Sequence, residues 1–268
     1  MTAPASVPAS DSASARSVAP IAVITGGSRG LGKSMALHLA DRGVDIVLTY
    51  RSAEREAAAV VAAIEAKGRR AMALPLDVAA AGTFAAFVTT LQAELGRRWQ
   101  RERIDYLVNN AGIGVHASFV ETTEAQFDEL MRTHLMGPFF LTQRLLPLIV
   151  DGGRILNVSS GLARFTFPGY AAYATMKGGI EVLTHYLAKE LGPRRITVNT
   201  IAPGAIETDF GGGAVRDNEQ LNKMVASLTA LGRVGLPDDI GGAVAMLLAP
   251  ESHWMTGQRI EVSGGMLL

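Results

Sequence analysis

The stretch Ile21-Ala-Val-Ile-Thr-Gly-Gly-Ser-Arg-Gly-Leu-Gly32 decides the fold of this chain. Its first part is a short apolar run rich in β-branched residues, which indicates a strand that is buried on both faces. Its second part is a glycine-rich turn leading into a helix, and such glycines let the backbone turn tightly and approach a pyrophosphate. The free N–H groups at the start of that helix would meet the negative charge. The stretch therefore favours dinucleotide binding over an ordinary strand-to-helix turn.

The same alternation of short apolar runs and longer helix-like segments continues to the end of the chain. Strands are predicted at residues 21–25, 45–49, 71–76, 104–109, 154–159, 196–201 and 258–262. Crossover helices are predicted at residues 31–42, 53–67, 83–96, 124–148, 170–191 and 240–249. This pattern is typical of parallel strands joined by helices. We expect an α/β fold with a single Rossmann-type, doubly wound parallel sheet of about seven strands, helices on both faces, and a ligand site beyond the carboxyl ends of the strands.

Length and composition limit the domain organisation. The 268 residues, 48% of them hydrophobic, are enough for one large core, so we predict one domain over residues 19–268. Residues 1–18 are built mainly from Ala, Ser and Pro, and we predict a disordered tail there. Neither a secretory signal pattern nor an apolar run long enough to span a bilayer is found, so we expect no membrane partner and a cytoplasmic protein.

Charge and cysteine content exclude several function classes. Lys plus Arg and Asp plus Glu both count 25, which gives no electrostatic reason to expect nucleic acid or an anionic membrane as a partner. The chain has no cysteine, which excludes disulfides, thiolate metal sites and a cysteine nucleophile. We predict a small-molecule substrate and no metal site.

The segment Gly26-Gly-Ser-Arg-Gly30 also satisfies the Gly-x-Ser-x-Gly pattern of the serine hydrolase nucleophile elbow. In those enzymes an earlier strand and loop provide part of the oxyanion hole. Only the polar tail and one predicted strand precede Ser28. The hydrolase interpretation stays as an alternative that the position of the motif disfavours.

A tyrosine and a lysine stand one helical turn apart in Tyr173-Ala-Thr-Met-Lys177. A phenol with an unperturbed pKa of about 10 needs a nearby cation to favour its phenolate, and Lys177 can supply that cation. Ser160 follows a predicted strand, so its hydroxyl is expected at the carboxyl edge of the sheet. Each feature alone is common in proteins without catalytic function. Together they favour a catalytic group of Ser160, Tyr173 and Lys177.

From about Ile21 to Leu268 the sequence resembles the short-chain dehydrogenase/reductase family, and within it the 3-oxoacyl-carrier-protein-reductase-like branch. The motifs that carry the resemblance are residues 25–32 and 109–112, Ser160, Tyr173, Lys177, Asn199, Pro203, Gly204, Ile206, Thr208, and residues 256–258 and 263–265. The resemblance implies that a hydride passes between NADP(H) and a carbonyl or secondary alcohol. It also implies that Tyr173 transfers the proton, that Lys177 lowers the pKa of Tyr173 and holds the nicotinamide ribose, and that Ser160 holds the substrate oxygen.

The cofactor contacts predicted from the turn and from the resemblance are spread over the carboxyl edge of the sheet. They are Gly26, Ser28, Arg29, Gly30, Leu31, Gly32, Arg51, Ser52, Asp77, Val78, Asn110, Ala111, Gly112, Tyr173, Lys177, Pro203, Gly204, Ile206 and Thr208. NAD enzymes carry a carboxylate at the end of the second strand, but Tyr50 and then Arg51 stand there. Arg51 and Arg29 offer guanidinium groups for a 2′-phosphate, so the prediction is NADP(H) rather than NAD.

One position departs from the family pattern, because His134 stands where the family has an asparagine that completes its catalytic tetrad. One hypothesis is that His134 keeps the backbone role of the asparagine and adds an imidazole that titrates near pH 7. The other is that His134 only packs within its helix.

The resemblance also predicts a mobile substrate loop over residues 207–231 and a homotetramer formed through the helices at residues 124–148 and 170–191. Candidates for an apolar substrate wall are Phe119, Phe165, Phe167, Phe210 and Met224. An alcohol or sugar dehydrogenase with the same mechanism is the closest alternative. A dinucleotide-binding protein without catalysis is a more distant one, and intact Tyr173 and Lys177 disfavour it.

Overall fold

The computed structural model describes residues 19–268, so the predicted tail at residues 1–18 lies outside the described residues. The strands are β1 (Ile21–Ile24), β2 (Asp45–Tyr50), β3 (Ala71–Pro75), β4 (Ile104–Asn109), β5 (Ile149–Val158), β6 (Thr197–Pro203) and β7 (Arg259–Val262). They form a seven-stranded sheet in the order β3-β2-β1-β4-β5-β6-β7. Every neighbouring pair is parallel. The winding reverses between β1 and β4, which confirms the predicted doubly wound fold.

The helices connect the strands as crossovers on the two faces of the sheet. They are α1 (Gly30–Asp41), α2 (Glu54–Ala66), α3 (Phe84–Trp99), α4 (Glu124–Met131), α5 (Gly137–Leu145), α6 (Ala171–Leu191), α7 (Ala214–Asp217), α8 (Glu219–Ser227) and α9 (Pro237–Leu247). Short 3₁₀ turns lie at Gly161–Ala163, directly after β5, and at Phe210–Gly213, after β6. Both turns stand beyond carboxyl ends of strands, where the ligand site is predicted.

Two apolar cores lie on the two faces of the sheet. Because successive side chains of a strand point to opposite faces, β1 sends Ala22 and Ile24 into one core and Ile21 and Val23 into the other. The first core is closed by α1, α2 and α9, and the second by α3, α5 and the end of α6. A sheet covered on both faces explains why its strands read as continuous apolar runs rather than as alternating patterns.

The helix predicted over residues 124–148 is wrong in its continuity. The chain forms α4, then a π-helical turn at Arg132–Met136, then α5 and a 3₁₀ turn at Leu146–Leu148. Pro138 lacks the N–H that a continuous α-helix requires, and a Cβ at Gly137 would overlap the carbonyl oxygen of Val78. The close approach at Gly137 and the proline after it account for the change of helical pitch.

The fifth strand begins earlier than predicted, at Ile149 rather than Arg154. Residues 151–153, Asp-Gly-Gly, have the composition of a turn. The structure keeps them in the strand through a shift of register: Ile104 pairs with Ile149, but Tyr106 pairs with Arg154. Gly152 takes a left-handed conformation there, with φ of 79°.

Among residues 19–268, no helix combines the length and the apolar character needed to cross a membrane.

Candidate active site

The glycine turn after β1 is bound to the segment that follows β4. Thr25 Oγ1 accepts hydrogen bonds from the backbone N–H groups of Asn110 and Ala111, at 2.9 and 3.0 Å. In the other direction, Asn110 Nδ2 donates to the carbonyl oxygens of Thr25 and Gly26, at 2.8 and 3.1 Å. The family motif at residues 109–112 thus holds the glycine turn in shape. The two segments lie together because they follow β1 and β4, which are neighbours in the sheet.

The turn is shaped so closely that only glycine fits at two of its positions. Gly26 has φ of 66°, and a Cβ there would lie 2.9 Å from the Cα of Ala111. A Cβ at Gly32 would overlap the carbonyl oxygen of Gly26. Helix α1 begins at Gly30, and among the described residues no side chain caps its first turn. We call the glycine turn at residues 25–32 the glycine cradle. The uncapped N–H groups of α1 and this closely packed turn fit a pyrophosphate group.

The residues predicted to select the cofactor lie around this turn. Arg51 and Ser52 are exposed directly after β2, and within residues 19–268 Arg51 makes no ion pair. Arg29 is also largely exposed, and its guanidinium lies 3.7 Å from a carboxylate oxygen of Asp209. The Asp77 carboxylate accepts the N–H of Ala79 at 2.9 Å and so closes a local turn after β3. Two guanidinium groups therefore stand at the edge of the cradle where NAD enzymes carry a carboxylate.

Ser160, Tyr173 and Lys177 are positioned by two elements, the end of β5 and the start of α6. Ser160 follows β5, and its Oγ accepts the N–H of Leu162 at 3.2 Å, which starts the 3₁₀ turn. Tyr173 and Lys177 lie one turn apart near the start of α6, and both are buried. The Lys177 ammonium donates to the carbonyl oxygen of Val158 at 2.7 Å and lies 5.5 Å from the centre of the Tyr173 ring.

Burial changes the pKa of both proton-transfer candidates. It lowers the pKa of Lys177 to about 7, because the ammonium is removed from water. Burial raises the pKa of Tyr173 well above its ordinary value, and the Ser160 hydroxyl opposes this only in part. The lowering of the Tyr173 pKa by Lys177 that the resemblance implies stays a prediction, since burial is the largest influence on Tyr173 here. Tyr173 is thus a neutral phenol at pH 7, which can donate a proton to a carbonyl oxygen.

His134 lies in the π-helical turn and is fully enclosed. Its Nε2 lies 2.8 Å from the carbonyl oxygen of Ile113 and 3.2 Å from the N–H of the same residue. Its ring meets the Tyr173 ring edge to face, with 5.1 Å between the ring centres. Burial, together with the charge of Lys177, holds the pKa of His134 well below 6.5. This shift disfavours the hypothesis that the imidazole titrates near pH 7, because burial destabilises the charged form.

Aromatic side chains surround the approach to Tyr173, although not all of the predicted ones. Phe210 lies closest, with 5.6 Å between its ring centre and that of Tyr173. Phe165 and Phe167 contact each other at 6.0 Å and pack on an apolar cluster that includes Val225 and Val234. Phe119 is 83% exposed and is not packed in an apolar cluster, so its place in the substrate wall stays a prediction. Its loop turns the side chain outward.

The predicted substrate loop at residues 207–231 contains short helical turns, α7 and α8. Gly211, Gly212 and Gly213 all take left-handed conformations, with φ from 61° to 79°. Met224 on α8 is 42% exposed. The sequence analysis did not single out the pair His116 and Tyr170, whose rings meet at 5.0 Å. Tyr170 is the residue directly before α6, three positions before Tyr173, and this spacing is the signal that indicates its position.

Comparisons with known proteins agree with this geometry. The family described as Enoyl-(Acyl carrier protein) reductase matches residues 26–267. A hydroxynaphthalene reductase-like protein, Arp2, of Metarhizium brunneum is 37% identical over 91% of this chain and 94% of its own length. The 3-oxoacyl-acyl-carrier-protein reductase of Staphylococcus aureus is 35% identical over 92% of this chain and 98% of its own length.

The solved structure of the angucycline C-6 ketoreductase LanV with bound NADP superposes on this chain with a TM-score of 0.89. The two are 35% identical, and the match covers 93% of this chain and 96% of LanV. These similarities extend over nearly all of the described residues. The chain belongs to the short-chain dehydrogenase/reductase family.

Proposed function

We propose that this protein reduces a ketone to a secondary alcohol with NADPH. The observation that carries the proposal is the buried Tyr173 phenol beside Ser160 and Lys177, at the sheet edge that also carries the glycine turn. When bound, NADPH supplies the hydride for the carbonyl carbon. Ser160 donates a hydrogen bond to the carbonyl oxygen and orients it towards Tyr173. Tyr173 then donates its proton to that oxygen as the negative charge develops.

Lys177 completes the proton path in this proposal. Its pKa of about 7 means that it can hold or release a proton in the neutral range. Lys177 can therefore restore the proton that Tyr173 donates, and its ammonium stabilises the transient phenolate. His134 acts differently, since its enclosed neutral ring holds Ile113 and supports the Tyr173 ring from the side. We assign His134 a positioning role.

We propose that the glycine cradle and the other predicted contact residues hold the dinucleotide, with Arg29 and Arg51 on its 2′-phosphate. A guanidinium forms short, charge-assisted hydrogen bonds to phosphate that a ribose hydroxyl cannot match. Arg51→Ala is expected to raise KM for NADPH about tenfold and to leave KM for NADH nearly unchanged, since one charged hydrogen bond contributes about 1.5–3 kcal/mol. Steady-state kinetics with both cofactors measure the two values. Equal losses for NADPH and NADH would contradict the assignment.

The substrate that the site fits best is a ketone on a fused aromatic ring system. Phe210 lies next to Tyr173, and Tyr170 with His116 lines the same approach, so flat aromatic surfaces border the reacting group. Two of the relatives bear the names of a hydroxynaphthalene reductase and an angucycline ketoreductase. Oxidation of an alcohol or a sugar by the same residues is the second candidate, because the chemistry is reversible.

The proposed function is tested by following the absorbance of reduced nicotinamide with purified protein and a matched set of ketones. The expected result is faster NADPH oxidation with 2-tetralone than with cyclohexanone or ethyl acetoacetate, because only the first ketone offers an aromatic ring to Phe210. Turnover only with alcohols and NADP⁺ would favour the second candidate. An absence of turnover with every compound, together with tight NADPH binding, would favour the binding protein without catalysis.

We also propose that the chain forms a homotetramer through the helices predicted at residues 124–148 and 170–191. Large apolar side chains are exposed on α4, α5 and α6. They are Phe127, Phe139, Phe140, Val182 and Tyr186. Apolar surface clustered on neighbouring helices is typical of protein interfaces. A single domain over residues 19–268 and a cytoplasmic location stay predictions from the sequence.

A further inference from the structure

Four charged side chains of alternating sign form a continuous series of ion pairs next to the end of β5. Arg164 pairs with Glu261 at 2.7 Å, Glu261 pairs with Arg259 at 3.0 Å, and Arg259 pairs with Glu181 at 2.7 Å. We call these residues the ion-pair line. The line joins the turn after Ser160 to β7, and β7 to α6. Glu261, Arg259 and Glu181 are each only about a fifth exposed, so the pairs between them are screened by water less than surface pairs are.

The inner end of the ion-pair line holds the strand end from which Ser160 projects. A carboxylate oxygen of Glu181 accepts the hydroxyl hydrogen of Ser159 at 2.7 Å. The Arg259 guanidinium donates to the carbonyl oxygen of Ser160 at 3.3 Å. The preceding residue, Val158, offers its carbonyl oxygen to the Lys177 ammonium. Three consecutive residues of the chain are thus held either by the Glu181–Arg259 pair or by Lys177 itself.

The position of Glu181 on α6 connects this strand end to the helix that carries the other site residues. Glu181 follows Lys177 by four residues, so both side chains project from the same face of α6 towards the end of β5. The Ser159 hydroxyl that reaches Glu181 also lies 3.3 Å from the carbonyl oxygen of Lys177. A shift of the Glu181 carboxylate would therefore move the strand end and α6 relative to each other.

We propose that Glu181 and Arg259 are positioning residues that fix residues 158–160 relative to Tyr173 and Lys177. The inference rests on the proposed function, since it needs Ser160, Tyr173 and Lys177 to act together on the substrate oxygen. Proton transfer depends steeply on geometry, and a misplacement of about 1 Å can lower a rate by about 10²-fold. The pair does not touch the substrate. It acts by holding the strand end and the helix in one relative position.

The test compares Arg259→Met and Glu181→Gln with the unaltered enzyme in NADPH-dependent ketone reduction. Each variant is expected to lower kcat about tenfold and to change KM for NADPH less than about twofold, because geometry at the reacting atoms is lost and cofactor contacts are kept. The double variant is expected to have a kcat within about twofold of Arg259→Met alone, because both residues act through one contact. Glu181→Gln keeps the size of the side chain and serves if Arg259→Met fails to fold.

Arg194→Met is the matched control. Arg194 pairs with Asp151 at 2.8 Å and contacts the carbonyl oxygens of Leu146 and Ile149, so its loss also removes a partly buried guanidinium from an ion pair. It lies before β6, at the opposite end of the sheet from Ser160. We expect Arg194→Met to lower the midpoint of thermal unfolding as much as Arg259→Met does, while kcat of the folded enzyme stays unchanged.

Two outcomes separate a failure of this inference from a failure of the proposed function. If Arg259→Met and Glu181→Gln lose thermal stability but keep kcat within about twofold of the unaltered enzyme, the pair is only structural and the inference is overturned. Tyr173→Phe is measured in the same assay. If that variant keeps its turnover, the proposed function has failed, whatever the pair does. If Tyr173→Phe is inactive, the kcat values of Arg259→Met and Glu181→Gln test the positioning role alone.

Discussion

Burial acts in opposite directions on the two side chains proposed for proton transfer. It raises the pKa of Tyr173, so the phenol keeps its proton, and it lowers the pKa of Lys177 to about 7, so the ammonium gives up its proton more readily. The two groups lie close together near the start of one helix. A protonated donor beside a base that titrates near neutrality is suited to proton transfer at physiological pH.

Tyr173→Phe removes the proposed donor and little else. We expect kcat to fall by about 10²–10⁴-fold, the usual contribution of a general acid, because phenylalanine fills the same space without a hydroxyl. The affinity for NADPH, measured by quenching of protein fluorescence, should stay close to that of the unaltered protein. A Tyr173→Phe enzyme with half of its original kcat would refute the assignment.

The burial of His134 predicts a pH–rate profile that differs from the one expected if its imidazole titrated near pH 7. Because its pKa is held well below 6.5, the imidazole stays neutral across the working range, and the pH–rate profiles of the unaltered enzyme and His134→Asn should superimpose. An ionisation near pH 6.5 that disappears in His134→Asn would contradict the structure.

The same pKa shift predicts a difference in stability. Below about pH 6.5 an unfolded histidine binds a proton that the folded protein does not, so acidification favours unfolding in that window. The free energy of unfolding of the unaltered protein should therefore decrease on acidification more than that of His134→Asn. Chemical denaturation from pH 7 to pH 5 measures this difference.

At the scale of elements, β2 is anchored at its start by a buried carboxylate. Asp45 is fully buried and accepts hydrogen bonds from the Arg69 side chain at 2.6 and 2.9 Å, from the Arg70 backbone at 2.9 Å and from the Trp99 indole at 2.8 Å. Burial alone would raise the pKa of Asp45, but these hydrogen bonds and the charge of Arg69 lower it below its ordinary value. The carboxylate thus ties β2 to α3 and to the start of β3.

Asp45→Asn is expected to lower the free energy of unfolding by about 3 kcal/mol at pH 7, because it leaves buried donors without their charged partner. The contribution of Asp45 is present above the unfolded pKa of about 3.9 and is lost as pH falls through the lower folded value. Urea denaturation measures it. Asp41→Asn, which removes an exposed pair with Lys67, is the control and should change the free energy by less than about 1 kcal/mol. Equal effects of the two variants would show that the Asp45 cluster adds nothing beyond a surface pair.

At the scale of the whole molecule, the family model and the ketoreductases among the relatives confirm an NADP-dependent oxidoreductase that acts on carbonyl compounds. The predicted site is assembled from segments that follow β1, β2, β3, β4, β5 and β6 and from the start of α6. The exposed apolar surface of α4, α5 and α6 includes the helix that carries Tyr173 and Lys177, so the proposed assembly and the activity should depend on each other.

A charge placed on that surface should prevent assembly. Val182 on α6 is 55% exposed, and Val182→Glu is expected to convert the proposed tetramer into smaller species, since an unpaired charge would be strongly unfavourable at the core of the proposed interface. Light scattering coupled to size-exclusion chromatography gives the mass. Ala62→Glu, at an exposed position of α2, is the control and should leave the mass unchanged. A monomer for the unaltered protein would reject the tetramer.

The sequence by itself determined the strands of the sheet, the glycine turn and the spacing of Tyr173 and Lys177. Each of these is a local property, because buried strands read as apolar runs, a close backbone approach requires glycine, and residues four apart share a helical face. The predicted strand end placed Ser160 at the same sheet edge, and the family pattern then led to NADP(H) and a carbonyl substrate.

Only the tertiary structure decided how these residues behave. Glu181 and Arg259 are separated by 78 positions and meet because β6 and β7 bring the end of the chain beside α6. The helix break at Gly137 depends on the approach of Val78, and the pKa values of Tyr173, Lys177 and His134 depend on their burial. Desolvation and long-range contacts arise from the packing of distant segments, so no local pattern in the sequence reports them.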